Sequence, residues 1–469
     1  MNNYLIHGGL VLTGEPDAEP HFADILVRDG RIAAVDPSIQ ADCEKVDATG
    51  CILMPGMVDA SRHTWQTLTR GICGDMSGAG YWTAIRHQAA VSLTPDDLKL
   101  GNLAGLLESI DAGVTSVFDF SNSIASDDFA DALLEGTREA GIRCRFAPAL
   151  NNVPGESESY GKPHGRLDML ARLRQGSLSS DDALVTLAAG LSDIPIVGVE
   201  AVAHEIAVCR SLGLRMTLNC EAFRDKSGES ELALMEDAGL FGPDLLFVHM
   251  TLATHAQLER IRDTGGSVVV CPETTMALFH SLPSTMRAYR AGLEPALGSD
   301  ISAGWSADMF SQARLALQAG RVEAPSLGGD GPSPDPFRNW PTSRMMFDAI
   351  TRAGAAAIGL GDRTGTLVPG KCADIVMLRA DAINLAPVND PFSTVILQSH
   401  PGNVDTVWID GVLRKRAGKL LFDTAALKNA IGAAHGRFIE RLKAAGGWLP
   451  SGSAAAADDA YQAIGQAGQ

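Results

Sequence analysis

The sequence predicts an α/β fold, a (β/α)8 TIM barrel accompanied by short-strand segments at both ends. Three observations lead there. From about residue 56 to 365, short apolar runs alternate with longer helical patterns, as βα units on a parallel sheet require. Residues 1–55 instead alternate apolar and polar at the period of strands, with turn signals between them. Beyond residue 365 that short-strand period returns.

The N-terminal runs are residues 4–9 and 24–32, and Asp29-Gly30 within the second is a hairpin signal. The apolar run 51–58 reads as a buried parallel strand opening into a loop. Further strands are expected at residues 114–119, 184–188, 215–218, 245–249, 267–270 and 295–300. About three hundred residues of such alternation match the size of a (β/α)8 barrel. Strands are again expected around 366–376 and 404–411, and the Ala-, Gly- and Ser-rich end from 444 reads as a short helix and a frayed tail.

Composition narrows the function. Of 469 residues, 45% are apolar and 20% charged, enough to bury a large core. The net charge of −18 argues against nucleic-acid and anionic-membrane partners and favours solubility, without pointing to any particular substrate. No apolar stretch reaches the ~18 residues of a membrane span. The eight cysteines (43, 51, 73, 144, 209, 220, 271, 372) form no C-x-x-C pair, and residues 1–7 lack a secretory pattern. A reduced, cytoplasmic location is the expectation.

The run Pro55-Gly56-Met57-Val58-Asp59-Ala60-Ser61-Arg62-His63 resembles the first strand of the amidohydrolase superfamily, in the branch of cytosine deaminases and triazine chlorohydrolases. That branch carries Pro-Gly-hydrophobic-hydrophobic-Asp-x-His-x-His. Gly365-Thr366-Leu367-Val368-Pro369-Gly370-Lys371-Cys372-Ala373-Asp374-Ile375-Val376 resembles a second, long signature of the same superfamily. The resemblance covers nearly the whole chain. It implies a barrel over 56–365, a small β-sandwich discontinuous in sequence (1–55 and 366–425), and a helical extension and tail over 426–469. Barrels of this kind often pair, so a homodimer or larger homo-oligomer is expected.

In mononuclear members the metal is held by both strand-one His residues, a His ending strand five and an Asp ending strand eight; a His ending strand six handles the proton or the substrate. Carried onto this chain, those positions are Ser61, His63, Asn219, Asp300 and His249. Two of four implied ligands are therefore absent, and Asn122 stands near the end of strand two where many relatives have His. Catalytic zinc wants about three protein ligands plus water, and a Ser hydroxyl and an Asn amide are poor ones. The expectation is no metal cofactor. The alternative is one zinc or iron on His63 and Asp300 joined by His249, Cys220 or Glu221.

On this reading Asp300 is a general base if burial raises its pKa. His249 moves a proton, and His63 pairs with Asp300. Each has a plainer reading, Asp300 as a loop cap and His249 as a hydrogen-bonded core residue. Glu221 stands two residues after Asn219, where relatives place an acid three after the His, and its catalytic part is correspondingly open. Ser61 and His63, two apart on a strand, share a side; Ser61 either fills the space of the lost imidazole or acts as a nucleophile activated by His63. Substrate contacts are expected from Ser61, Asn219, Asn122, Trp65, Gln66, Trp305 and His280, the last in a segment (276–283) resembling a substrate-facing one of a subgroup.

The expected reaction is hydrolysis of a C–N bond (deamination, amide or ring opening) of a small cyclic or aromatic molecule by acid–base catalysis without a metal. Hydration, elimination or isomerisation on the same barrel is the alternative, and a ligand-binding protein without activity is another, since fold does not fix function.

Overall fold

The computed structural model describes residues 3–160, 165–222, 228–324 and 340–449; the expected tail beyond 449 lies outside them. Parallel strands follow one another around an axis in chain order. Strand one is Met57–His63, strand two Val114–Ser121, strand three Arg143–Pro148, strand five Met216–Cys220, strand six Leu245–His249 and strand seven Ser267–Val270. Strand four is split into Val185–Leu187 and Ala189–Gly190, and strand eight into Ala296–Leu297 and Asp300–Ile301.

These splits divide the hydrogen-bonded ladder into two five-stranded arcs. The first half of strand eight pairs with strand seven, while its second half pairs back onto strand one, Asp300 opposite Arg62. The fold is thus a TIM-barrel-like α/β arrangement, with its ladder interrupted at Ala188 and at Gly298-Ser299. Helices cover the outside. Pro95–Asp111 begins with a capping box between Thr94 and Asp97, which supplies orphan amides of its first turn. Thr424–Ala444 lies near its start, where Arg441 donates to the Ser92 carbonyl at 2.7 Å and pairs with Asp97.

The chain ends form a separate sheet domain, as the expected sandwich requires of residues from both ends. Both chain ends join in one nine-stranded sheet, in which Cys51–Pro55 pairs parallel with Tyr4–Val11 on one side and antiparallel with Ile375–Arg379 on the other. Ile6, Val11, Ile25, Val27, Leu53, Ile375 and Trp408 form a core of its own.

Both signatures do structural work at the junction. Gly56 is required by contact, because a Cβ there would fall 2.1 Å from Thr115 Oγ1. Lys371 Nζ donates to the Gly361 carbonyl at 2.7 Å. Asp374 takes Arg143 Nε and Nη2 at 2.7 and 3.0 Å, and Arg143 Nη2 also reaches Asp410 at 2.8 Å. The guanidinium of strand three is thereby buried against a carboxylate of the terminal sheet. No helix among the described residues is long and apolar enough to cross a membrane.

Candidate active site

The ends of strands one, six, seven and eight converge, and buried polar contacts fix each of them. Asp59 accepts from the Ser299 amide at 2.9 Å and from the Ser299 hydroxyl, while Arg62 Nη1 donates to Ser299 Oγ at 2.6 Å. Arg62 also pairs with Glu108 at 3.3 Å. Strands one and eight are therefore tied just before Asp300. Gly298 is the second glycine that contact dictates: a Cβ would sit 2.8 Å from the Ser61 carbonyl oxygen.

His63 is oriented from behind. Its Nδ1 lies 2.7 Å from the Phe120 carbonyl. A carbonyl only accepts, so Nδ1 carries the hydrogen and Nε2 is left to face Asp300. Nε2 stands 3.2 Å from Asp300 Oδ1, at ion-pair distance but without the alignment of a hydrogen bond. Behind this, Asp119 accepts from the Thr64 amide at 3.1 Å, Asn102 at 3.2 Å and Ser121 at 3.1 Å, holding the turn that follows strand one.

His249 ends strand six with φ +79° and Asp300 has φ +62°, left-handed backbone that a non-glycine residue adopts at a cost. Both are almost wholly buried, at 4% and 2% exposed. His249 Nδ1 and Asp300 Oδ1 lack a hydrogen-bond partner. Phe279 packs edge-on to the His249 ring, 5.0 Å between centroids.

Burial holds the His249 pKa below the ordinary value, against the opposing pull of Asp300. For Asp300, burial pushes upward, yet His63, His249 and Thr274 together outweigh it and bring the carboxyl below its usual range. This corrects the expectation that burial would raise it: the imidazoles on either side decide. Burial, reinforced by Asp300 and Asp59, keeps the Cys271 thiol well above its ordinary value.

The remaining expected residues fall in several places. Ser61 is 1% exposed and lies against the Cys271 thiol. Asn219 is half-buried with Oδ1 unpaired. Gln66 Nε2 donates to the Tyr81 hydroxyl at 2.9 Å, and half-buried Trp305 donates to Thr274 at 2.8 Å. Trp65 is fully buried and donates to Asn122 Oδ1 at 2.7 Å. Trp65 thus supports the wall from inside, while Asn122, 2% exposed, keeps its Nδ2 without a hydrogen-bond partner. His280 is exposed, just past Phe279.

Glu221 is also differently employed. Its Oε1 accepts from Ser230 at 2.5 Å and from the Leu232 amide at 3.2 Å, at the start of the helix Glu231–Asp237. Cys220 lies against Glu231 as well. Burial, with the Glu221 charge adding to it, pushes the Glu231 pKa up to about 7. An acid that binds its proton more tightly when folded stabilises the fold fully below its unfolded pKa, and loses that stabilisation as pH rises through about 7. Glu231→Gln is therefore expected to raise stability at pH 8 by on the order of 2–4 kcal/mol, with little change at pH 4. Equal melting shifts at both pH values would contradict it.

His249, Cys271 and Asp300 offer one donor atom each, all within 4.8 Å of one another. Cys271 was not among the residues singled out from the sequence. The available signal was its place directly after the apolar run 267–270 and before Pro272-Glu273.

Fold and strand-end cluster together define a TIM-barrel-like α/β protein with its candidate site at the C-terminal strand ends. The chain belongs to the Amidohydrolase family, whose sequence model matches residues 52–414. It is 28% identical over 435 residues to a 5-methylthioadenosine/S-adenosylhomocysteine deaminase of Halobacterium salinarum, covering 90% of this chain and 95% of that one. It is 24% identical to a 5'-deoxyadenosine deaminase of Methanosarcina mazei, covering 88% and 92%. Among solved structures, an adenosine deaminase from Xanthomonas campestris with bound zinc superposes with TM-score 0.81 at 25% identity, covering 93% of this chain and 98% of the other. An atrazine chlorohydrolase from Arthrobacter aurescens complexed with zinc shares the fold, with TM-score 0.77 at 20% identity and coverage of 92% and 100%.

The zinc-bound adenosine deaminase, 25% identical, overturns the expectation of no metal cofactor. The residues present also fit a divalent ion. Imidazole, thiol and carboxylate are the donor types zinc takes, and His249 Nδ1 and Asp300 Oδ1 are buried without a hydrogen-bond partner. The imidazoles absent at 61 and 219 drew attention away from strand seven, whose Cys271 offers a further candidate donor.

Proposed function

We propose that this protein is a hydrolase that removes an exocyclic amine from a small aromatic nitrogen heterocycle, an adenine-type base being the leading class. The observation that carries the reading is the meeting of His63, His249 and Asp300 at strand ends, in a chain whose deaminase relatives match nine-tenths of its length.

Hydrolytic deamination needs a base for the attacking water and a proton for the departing nitrogen. Asp300, held ionised by its neighbours, accepts the proton from water. His249, held neutral by burial, hydrogen-bonds the reacting ring and passes a proton toward the leaving amine. His63, fixed by Phe120, sets its Nε2 beside Asp300 Oδ1, where it takes up a proton or faces a cation that the carboxylate shares. Phe279 and Trp305 supply aromatic surface for a flat ring. A divalent ion among these donors would add Lewis acidity, as metals do in hydrolases.

The test is ammonia release from adenosine, 5'-methylthioadenosine, S-adenosylhomocysteine, cytosine and an aminotriazine, run in ¹⁸O-labelled water. The reading expects one ammonia and one labelled oxygen per product. Turnover without ammonia or label would favour elimination or isomerisation. Ligand-dependent thermal stabilisation with no product from any of them would indicate a binding protein.

A further inference from the structure

We propose that this chain holds its divalent ion on the ends of strands six, seven and eight, through His249, Cys271 and Asp300, with the Cys271 sulfur replacing the imidazoles missing at positions 61 and 219. The site moves around the barrel and exchanges nitrogen for sulfur.

Four observations support this. The three donor atoms lie within 4.8 Å of one another, so small side-chain rotations bring each to the about 2.0–2.3 Å that zinc requires. His249 Nδ1 and Asp300 Oδ1 are unpaired although their residues are 4% and 2% exposed. Leaving such buried groups unsatisfied is unfavourable, and a bound cation relieves it. His63 Nε2, with Nδ1 committed to Phe120, presents a lone pair to Asp300 Oδ1 at 3.2 Å. Two acceptors at that distance call for a proton or a cation between them. Ser61, the position of a lost imidazole, lies buried beside Cys271, so the sulfur stands next to the position that would otherwise carry a ligand.

The donor set is chemically coherent. Thiolate, imidazole and carboxylate together suit zinc, and the thiolate disfavours magnesium or calcium. As the ion binds, the thiol proton leaves to solvent and the sulfur lone pair forms the bond to the metal. Cys220 is not the substitute, since it lies against Glu231.

The site is tested without turnover. Full-length protein, stripped of metal by a chelator, is titrated with Co²⁺ and followed by absorbance. One equivalent should bind with a thiolate-to-cobalt band in the near ultraviolet, lost in Cys271→Ser and kept in Cys220→Ser. Zinc-edge X-ray absorption of the unmutated, zinc-loaded protein should show one sulfur at about 2.3 Å, a readout independent of how the variants fold. A nitrogen and oxygen shell without sulfur, a band that survives Cys271→Ser, or binding well below one equivalent would each overturn the assignment. A protein that shows the sulfur ligand yet releases no ammonia keeps this site and loses only the deaminase reading.

Discussion

Asp300→Asn is expected to lower kcat/KM for C–N hydrolysis by about 10²–10⁴-fold, the usual contribution of a positioned acid–base group, while the protein still folds. Asn keeps the shape of the side chain but can neither take a proton from water nor hold charge beside His63, 3.2 Å away. Stability should stay level or rise. The native carboxylate is 2% exposed, sits on left-handed backbone and has an unpaired oxygen, features that favour chemistry over folding. The measurement is steady-state kinetics beside a thermal melt, on the substrate that the ammonia assay identifies. Full activity in the variant would remove Asp300 from the reaction.

Asp374→Ala carries the largest expected effect on stability, about 3–5 kcal/mol, as when one partner of a buried ion pair is removed. Arg143 is 1% exposed and would keep only Asp410, itself 46% exposed, as counter-charge. The Asp410 amide would lose its acceptor too, now 2.7 Å away. Against a total of about 5–15 kcal/mol, such a loss brings many domains near unfolding. Urea denaturation measures it. The double variant Arg143→Met/Asp374→Leu should be markedly less destabilised than Asp374→Ala, because no charge is stranded. A single-variant cost under about 1 kcal/mol would mean that water reaches the pair and screens it.

Much of this architecture was legible in the chain. Runs such as 245–249 and 267–270 coincide with strands six and seven because a strand covered on both faces reads as an unbroken apolar stretch. Asp300 and His63 stood out as strand-end residues inside signatures. What stayed hidden depends on register and backbone detail. The pairing of strands one and two shifts between Asp59 and Arg62, so a strict two-residue period cannot say which side chains face the axis. Left-handed φ at His249 and Asp300 has no sequence signal when the residue is not glycine. Trp65 looked ligand-facing by residue type, but its indole is spent on Asn122 inside the wall. Cys271 looked like any buried thiol, and only the closeness of three strand ends sets it apart.

The terminal sheet also sets an order of events during synthesis. Strand Cys51–Pro55 needs Ile375–Arg379 beside it, and that partner leaves the ribosome about 320 residues later, roughly 20–60 s at ordinary elongation rates. Through that interval the N-terminal strands wait with one edge unpaired, while the barrel between them is still being made. A nascent chain halted before residue 375 therefore exposes a sticky β-edge that the finished protein never shows.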